Sequence, residues 1–270
     1  MVVQHNLTAM NANRQLGITT SAQAKSSEKL SSGYKINRAA DDAAGLAISE
    51  KLRSQIRGLN QASDNCQDGI SLIQTAEGAL NETHSILQRL NELAVKSSTD
   101  TNTTEDRAYI QQEVTALTTE VTRISTDTEF NKMKLLSGGI KDFKLQVGAN
   151  AKQEIQFSIS DMSAKALGIS KLSLSSQAGA SGAITTLATA IKSVSNQRSQ
   201  LGALQNRLEH TIANLDTAAE NAQSSESTIR DTDMASEMVT YSKNNILAQA
   251  GQSMLAQANQ SSQGVLSLLQ

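Results

Sequence analysis

The sequence predicts a mainly α-helical protein, with long antiparallel helices in coiled-coil or bundle packing and one small β-hairpin region. Three observations support this prediction. The 270 residues include no proline, and an interior proline costs a helix about 3 kcal/mol, so helices are free to run long. Aromatic residues make up 2% of the chain and tryptophan is absent, which favours thin bundles with aliphatic cores over a compact enzyme core. Apolar residues recur at steps of three and four along most of the chain.

The first predicted helix runs from about Leu7 to Leu30. Ser31, Ser32 and Gly33 end it, because glycine suits the left-handed conformation that commonly follows a helix.

The second predicted helix begins at Asp41 and Asp42, which supply an N-cap and negative charge for its first turn. It runs unbroken to about Lys96, roughly 80 Å at 1.5 Å per residue. Its apolar stripe, in which Thr83 fills one gap, consists of Leu59, Ala62, Cys66, Ile70, Ile73, Ala76, Leu80, Leu87, Leu90 and Ala94.

A third helix is predicted to begin at Glu105 and Asp106, after a polar turn. It carries a heptad seam of Ile110, Val114, Leu117, Val121 and Ile124.

From Phe130 the apolar period changes to two. Apolar residues alternate with polar ones over 143–147 and again over 155–159, with a turn at 148–151. This pattern predicts a β-hairpin at about 140–160 with one buried face. All three phenylalanines lie in this region, so we expect the hairpin to pack against a helix end.

A Ser/Gly/Ala-rich stretch, Ser173–Gly182, is predicted to be a linker. A long helix then resumes, and a final helix follows Asp231-Thr232-Asp233 and ends the chain. The stripe of the long helix comprises Ile184, Leu187, Ile191, Val194, Leu201, Leu204, Leu208, Ile212, Leu215, Ala219, Ala222 and Ile229.

The two ends of the chain are almost free of charge. Asn244–Gln270 contains no charged side chain, and Arg14 is the only one in Met1–Ala24. An exposed helix normally carries charges on its polar face. We therefore expect the two ends to pair with each other and to become buried in copies of the same chain. The residues expected to pack in this way are Leu7, Met10, Ile246, Leu247, Met254, Leu255, Val265, Leu266, Leu268 and Leu269.

The sequence predicts no catalytic, cofactor or metal site. His5, His84 and His210 lie far apart and outside any HExxH pattern, and no glycine-rich phosphate-binding motif occurs. The adjacent Asp41 and Asp42 are interpreted as helix caps rather than metal ligands. Cys66 is interpreted as a buried structural thiol rather than a reactive one.

The charge and hydropathy of the chain favour neither nucleic acid nor membrane. The net charge is −2, which gives no strong field toward polyanions. The N-terminus lacks the basic and apolar regions of a secretory signal peptide. No run of about 18 apolar residues predicts a membrane span.

Several segments together resemble one protein family. Asn6–Ala12 and Leu30–Ile48 lie near the start. Asp231–Glu237, Gln249–Gln260 and Val265–Leu269 lie near the end. With Leu145–Asn150 in the predicted hairpin, they make the chain resemble bacterial flagellin over nearly its whole length. Many members of that family have proline where this chain has Ser262, so the end of the last helix is expected to differ locally.

The resemblance implies a short form of the family. Residues 1–41 and 232–270 would form the D0 pair of terminal helices, and 42–231 would form the D1 helical rod with its hairpin. The outer D2 and D3 domains would be missing.

The resemblance also implies a function. The chain would be a structural subunit, not an enzyme, that polymerises with other flagellin subunits into the extracellular filament used for motility. It would use no cofactor, bind no nucleic acid and insert into no membrane. It would be exported without a cleaved signal peptide through the flagellar type III apparatus. Its other partners would be an export chaperone, the filament cap and the hook–filament junction proteins.

A further implication concerns innate immunity, since flagellins include ligands of Toll-like receptor 5. The segments Leu87–Val95 and Ile110–Val114 match the contact region, which makes Arg89, Leu93 and Glu113 the candidate receptor-binding residues. The residues alone indicate only a solvated Arg89 with Glu92 as a neighbour three positions on.

Two alternatives remain open from the sequence. A hook–filament junction protein shares the paired end helices, although the start of the chain over 6–11 and its ending over 254–269 favour the filament subunit. A secreted enzyme or pore-forming translocator is disfavoured, because neither a catalytic constellation nor a membrane span is predicted.

Overall fold

A computed structural model describes residues 6–267 of the chain, with side chains described for 6–261. The described residues form five long helices and four short strands, which confirms the predicted fold class. In chain order these are α1 (Leu7–Ser32), α2 (Ala43–Ser97), α3 (Thr104–Asp127), β1 (Glu129–Phe130), β2 (Met133–Lys134), β3 (Phe143–Gln146), β4 (Glu154–Phe157), α4 (Gln177–Arg230) and α5 (Met234–Ser267). Among residues 6–267, none of the helices has an apolar stretch that could serve as a membrane span.

The chain divides into two compact units. Unit 1 comprises the described residues within Met1–Ser54 and Asn221–Gln270, and unit 2 comprises Gln55–Glu220. The division falls within α2 and α4 rather than at their ends, where the D0 and D1 limits are predicted.

In unit 1, α1 ends as the sequence predicts. Gly33 adopts a left-handed conformation with φ of 76°, and its N–H donates to the carbonyl of Lys29. A side chain at this φ would be strained. Two backbone hydrogen bonds then join this turn to the end of α4: the N–H of Lys35 donates to the Arg230 carbonyl at 2.7 Å, and that of Thr232 donates to the Gly33 carbonyl at 3.0 Å.

The two aspartates before α2 have separate roles. The Asp42 side chain caps the helix, accepting a hydrogen bond from the N–H of Gly45 at 2.9 Å. Asp41 instead binds the ammonium of Lys25 at 2.8 Å and accepts from the N–H groups of Asn37 and Arg38. The predicted capping role is therefore confirmed for Asp42, while Asp41 ties the connection to α1.

Unit 2 has one hydrophobic core in which α2, α3 and α4 all take part. Every predicted stripe residue of α2, with Thr83, is buried. α3 begins with a capping box, in which the Thr103 hydroxyl accepts from the N–H of Asp106 and the Asp106 carboxylate accepts from the N–H of Thr103. Because α2 packs against two helices, its buried face is wider than one stripe and also includes Leu72 and Leu93.

The predicted hairpin is present as the antiparallel pair β3 and β4, with Phe143 opposite Phe157. The expectation that it packs against a helix end is wrong. A Cβ on Gly58, well inside α2, would lie only 2.8 Å from the Cβ of Ala149 in the hairpin turn. The hairpin therefore lies on the middle of α2, where a residue without a side chain lets it approach.

Two further segments differ from expectation. A second, shorter hairpin, β1 with β2, precedes the predicted one. The predicted linker is only partly irregular, because α4 already begins at Gln177. The irregular chain before it belongs to the core through Ile159, Met162, Ala164, Leu167, Ile169 and Leu174. Buried apolar groups, rather than regular structure, hold that segment in place.

Candidate functional site

The contact between α1 and α5 in unit 1 brings the two ends of the chain together, as predicted. Partly or fully buried residues follow a heptad spacing on each helix. On α1 they are Ala9, Ala12, Leu16, Thr19, Gln23, Ser26 and Leu30, and on α5 they are Glu237, Tyr241, Asn244, Ala248, Gly251, Leu255 and Ala258. These residues are mostly small or polar, so we call them the small-residue seam. They permit close helix approach but bury little apolar surface.

Most of the large apolar side chains of the same two helices point away from the seam. We call this set the outward face. Its members are 46% to 71% exposed, whereas Ala248 in the seam is 8% exposed. They are Leu7, Met10, Ile18, Met234, Met238, Val239, Ile246, Leu247 and Met254. Unit 1 therefore places its small residues inside and many of its large apolar residues in solvent.

The predicted packing residues of the ends fall into three groups. Leu7, Met10, Ile246, Leu247 and Met254 lie on the outward face. Leu255 is partly buried in the seam. Val265 and Leu266 lie in α5 beyond the described side chains, and Leu268 and Leu269 lie outside the described residues.

The seam is fixed at both ends by polar contacts. The side-chain amide of Asn6 donates to the Ala258 carbonyl at 3.0 Å. At the other end, the ammonium of Lys29 lies 3.5 Å from the carboxylate of Glu237, with both side chains largely buried. Between them, a Cβ on Gly251 would lie 3.3 Å from the Cδ1 of Leu16, so the two helices are already in close contact there. These contacts set the register of the pair.

The candidate receptor residues lie in unit 2, on α2 and α3. The Nε of Arg89 lies 2.9 Å from the Glu113 carboxylate, and its Nη1 lies 3.0 Å from that of Glu92. The two carboxylates raise the pKa of Arg89 further, Glu113 first. Arg89 and Glu113 thus form one exposed, charged pair. Leu93, the third candidate, is 3% exposed and belongs to the core rather than to this exposed pair.

Within residues 6–261, the two histidines and the cysteine form no reactive cluster. The Nε2 of His84 lies 3.0 Å from the side-chain amide of Gln88. His210 lines an open groove beside the hairpin turn, and His5 lies outside the described residues. Burial raises the pKa of the Cys66 thiol, which opposes thiolate chemistry. Among the described residues, no group of three or more His, Cys, Asp or Glu is placed to hold a metal ion.

The small-residue seam and the outward face were not distinguished by reasoning from the sequence. The sequence predicts the same packing role for all the apolar residues of the C-terminal tail, whereas Leu255 lies in the seam and Met254 beside it is exposed. The spacing of the seam residues is nevertheless visible in the sequence. A strict heptad of Tyr241, Ala248 and Leu255 with Asn244, Gly251 and Ala258 runs along the same tail.

The fold and the outward face define a class of protein: a helical subunit whose paired ends expose an apolar surface suited to burial against other chains. The comparisons specify the family. The bacterial flagellin N-terminal helical region matches residues 3–141, and the bacterial flagellin C-terminal helical region matches residues 184–269. The chain belongs to the bacterial flagellin family.

Relatives match along the whole chain. A flagellin of Halalkalibacterium halodurans is 55% identical over 271 residues, and one of Bacillus subtilis is 51% identical over 306, with all of both chains covered in each comparison. A flagellar filament 31.3 kDa core protein of Treponema maltophilum is 52% identical over 286 residues, again with full coverage.

Solved structures share the fold. The crystal structure of Bacillus cereus flagellin is 30% identical, with a TM-score of 0.52, covering 56% of this chain and 88% of that one. A structure described as a flagellar hook-associated protein of Vibrio parahaemolyticus has a TM-score of 0.60 at 13% identity, covering 71% of this chain and 100% of that one. The second likeness concerns the fold alone. The chain is thus a flagellin, a structural subunit of a flagellar filament and not an enzyme.

Proposed function

We propose that this flagellin polymerises by burying the outward face of α1 and α5 in neighbouring copies. The observation that supports this proposal is that unit 1 buries small and polar residues between its helices and exposes large apolar ones. Its seam consists mostly of small and polar residues, while Leu7, Met10, Ile246, Leu247 and Met254 are exposed. An apolar surface of this kind is suited to contact with other protein chains, and the chain ends that carry much of it, Met1–Ala24 and Asn244–Gln270, have almost no charge.

The expected energies agree with this proposal. Fully burying one large apolar side chain contributes about 1.5–3 kcal/mol. Five such residues would contribute on the order of 10 kcal/mol, enough to offset much of the entropic cost of adding a subunit. The seam alone has few large side chains to bury. We therefore infer that the terminal helix pair is only marginally stable in the free subunit and gains order on assembly.

In the proposed polymer, the chain has the two domains that the family resemblance implies. Residues 1–41 and 232–270 act as the D0 helix pair, whose order depends on assembly. Residues 42–231 act as D1, and the core of unit 2 lies wholly within that range. A subunit whose ends become ordered last can be exported in an unfolded state and still form a stable polymer.

The remaining partners follow from that route. We propose export through the flagellar type III apparatus into an extracellular filament. An export chaperone would cover the C-terminal helix before export, since the exposed apolar residues of that helix would otherwise associate early. The filament cap and the hook–filament junction proteins would meet the same ends during assembly.

The test is polymerisation of purified subunits carrying Met10→Gln, Ile246→Gln and Met254→Gln together. We expect monomers of normal helicity that form no filaments in the electron microscope. The matched control is Val95→Gln, which changes an apolar residue that is 49% exposed on α2 and should leave polymerisation intact. Filaments of normal length from the triple variant would contradict the proposal. Short closed assemblies from the unmodified chain would favour a junction protein instead.

We also propose that the chain binds Toll-like receptor 5 through Arg89 and Glu113. The support is that both side chains are exposed, lie 2.9 Å apart and occupy the positions that the family resemblance assigns to the contact. In this arrangement Leu93 does not itself contact the receptor. It is buried in the core of unit 2 and helps to hold α2 in position.

Receptor binding is tested by a pull-down with Arg89→Asp. We expect affinity to fall about tenfold or more, because reversing one charge of an interfacial pair leaves its partner opposed. The control is Arg207→Asp, a reversal at an exposed position on α4, which should bind normally. Equal binding by the two variants would refute the assignment.

A further inference from the structure

The exposed side of α2 and α3 carries the same charged arrangement twice. Arg89 lies between the carboxylates of Glu92 and Glu113. Arg123 lies 2.6 Å from the carboxylate of Glu120 and 3.2 Å from that of Asp127. Each arginine therefore has two carboxylates, and each cluster keeps a net charge of −1. Over α3 as a whole, two basic residues face five acidic ones, a net charge of −3.

The second cluster forms the rim of a groove between α2 and α3. The groove has a volume of about 450 Å³. Its lining includes the apolar side chains of Ala79, Ile86 and Ile124, which also pack against the core. Glu82 completes the rim, and no ion-pair partner for it lies within the described residues. The groove thus combines an apolar floor with a negative rim. Such a site favours a ligand with both an aliphatic stem and a positive charge.

The complementary charge lies on the chain that follows α3. Residues 129–171 contain seven lysines and four acidic residues, a net charge of +3. Five of these lysines are exposed and have no carboxylate partner in the described part of the chain. They are Lys132, Lys141, Lys152, Lys165 and Lys171.

The β1–β2 hairpin presents one of these lysines at its tip. Asn131 and Lys132 both have positive φ, at 48° and 64°, as in the two-residue turns typical of tight hairpins. The next residue, Met133, is 38% exposed. The tip therefore places an ammonium group beside an apolar side chain.

We propose that the groove between α2 and α3 binds the β1–β2 tip of a second copy of this chain. Lys132 would meet the carboxylates of Glu82, Glu120 and Asp127, and Met133 would lie on the apolar floor. A contact between two different patches can propagate through a polymer, unlike a self-complementary patch, which closes a dimer. This inference rests on the proposed polymerisation and adds a polar contact in unit 2 to it.

The proposal is tested by charge exchange. Critical concentrations for polymerisation are measured for the unmodified chain, Lys132→Glu, Glu82→Lys and the double variant. We expect each single reversal to raise the critical concentration about threefold or more. The double variant should recover most of that loss. The control is Lys152→Glu, because Lys152 is also exposed and also has positive φ, at 70°, in a turn of the other hairpin. It should polymerise like the unmodified chain.

The possible results distinguish a failure of the proposed function from a failure of this inference. If the unmodified chain does not polymerise, the proposed function fails. If it polymerises but Lys132→Glu behaves like Lys152→Glu, or the double variant shows no recovery, the inference is overturned. A second measurement uses a chain carrying both Glu82→Cys and Lys132→Cys. Under mild oxidation it should form disulfide-linked ladders in polymer but not in monomer, and polymer without ladders would refute direct contact.

Discussion

The side-chain amide of Asn6 donates a hydrogen bond of 3.0 Å to the carbonyl of Ala258, which ties the first turn of α1 to α5. The carboxamide oxygen of Asn6 meanwhile accepts from the N–H of Ala9 and caps α1. One residue thus begins the first helix and fixes its position on the last. Since mostly small and polar groups form the seam between these helices, most of their large apolar side chains face outward. That arrangement is the basis of the proposed polymerisation.

Deletion of Asn244–Gln270 should abolish polymerisation while unit 2 stays folded. The deletion removes much of the outward face and of the seam, but the core of unit 2 contains no residue of α5. Far-UV circular dichroism of the truncated monomer should show a loss close to the share contributed by α5 and its seam partner α1. Loss of most helical signal would show that the terminal pair is needed to fold unit 2.

The ion pair of Asp41 with Lys25 should make unit 1 sensitive to acid. Lys25, and then the N–H groups of Arg38 and Asn37, lower the pKa of Asp41 from 3.8 to about 2. A lowered pKa in the folded state adds stability above the pKa of the unfolded chain, and that stability is lost as pH falls toward 2.

Carboxyl titration by NMR should therefore give Asp41 a midpoint of about 2. In Lys25→Met the midpoint should rise toward the ordinary value for aspartate, because the main cause of the shift is removed. An unchanged midpoint in that variant would show that the backbone N–H groups alone hold the carboxylate.

Two glycine substitutions should change the stability of unit 2 in opposite directions. At Gly58 an added methyl would meet Ala149 at 2.8 Å, so Gly58→Ala should destabilise by about 1–3 kcal/mol through overpacking. At Gly202 no atom lies within 4 Å of an added Cβ, so Gly202→Ala should stabilise α4 by up to about 1 kcal/mol. Urea unfolding measures both. Equal effects would mean that the hairpin does not rest on Gly58.

Substitutions at Leu93 and Arg89 should differ in their effect on stability, because Leu93 is buried and Arg89 is exposed. Leu93→Ala should lower the free energy of unfolding by about 2–5 kcal/mol, because it leaves a cavity in the core. Arg89→Ala should change it by less than about 1 kcal/mol, since its ion pairs are exposed. Thermal and urea unfolding of the two monomers test this contrast. If Leu93→Ala left the free energy of unfolding unchanged, the assignment of Leu93 to the core would be contradicted.

The helices were predictable because the period of their apolar residues is unambiguous. Gly33 and Asp42 mark the end of α1 and the start of α2 by elementary capping chemistry. Leu93, a receptor-contact candidate from the family resemblance, lies in the core, because α2 contacts both α3 and α4 and buries more than its predicted stripe. The β1–β2 hairpin was missed because strands of two residues carry no measurable alternation.

The division of unit 1 into seam and outward face was harder to predict for a different reason. Hydrophobic periodicity assumes that large apolar residues face the nearest partner. In α5 the nearest partner meets Ala248 and Gly251, while Ile246 and Met254 face solvent. In the proposed polymer, neighbouring copies cover those exposed residues. The isolated subunit therefore exposes large apolar residues that hydrophobic periodicity places against a partner. We expect the polymer to bury them.

The most direct test of the central claim is thiol labelling of Met254→Cys in monomer and in filament. The native Cys66 is fully buried and gives a low background, and Ala248→Cys reports on the seam. We predict rapid labelling of Met254→Cys in the monomer and strong protection in the filament. Ala248→Cys should be labelled more slowly than Met254→Cys in the monomer, because the marginally stable helix pair opens only part of the time, and should be protected in the filament. Equally rapid labelling of Met254→Cys in monomer and filament would contradict the claim that neighbouring copies cover the outward face.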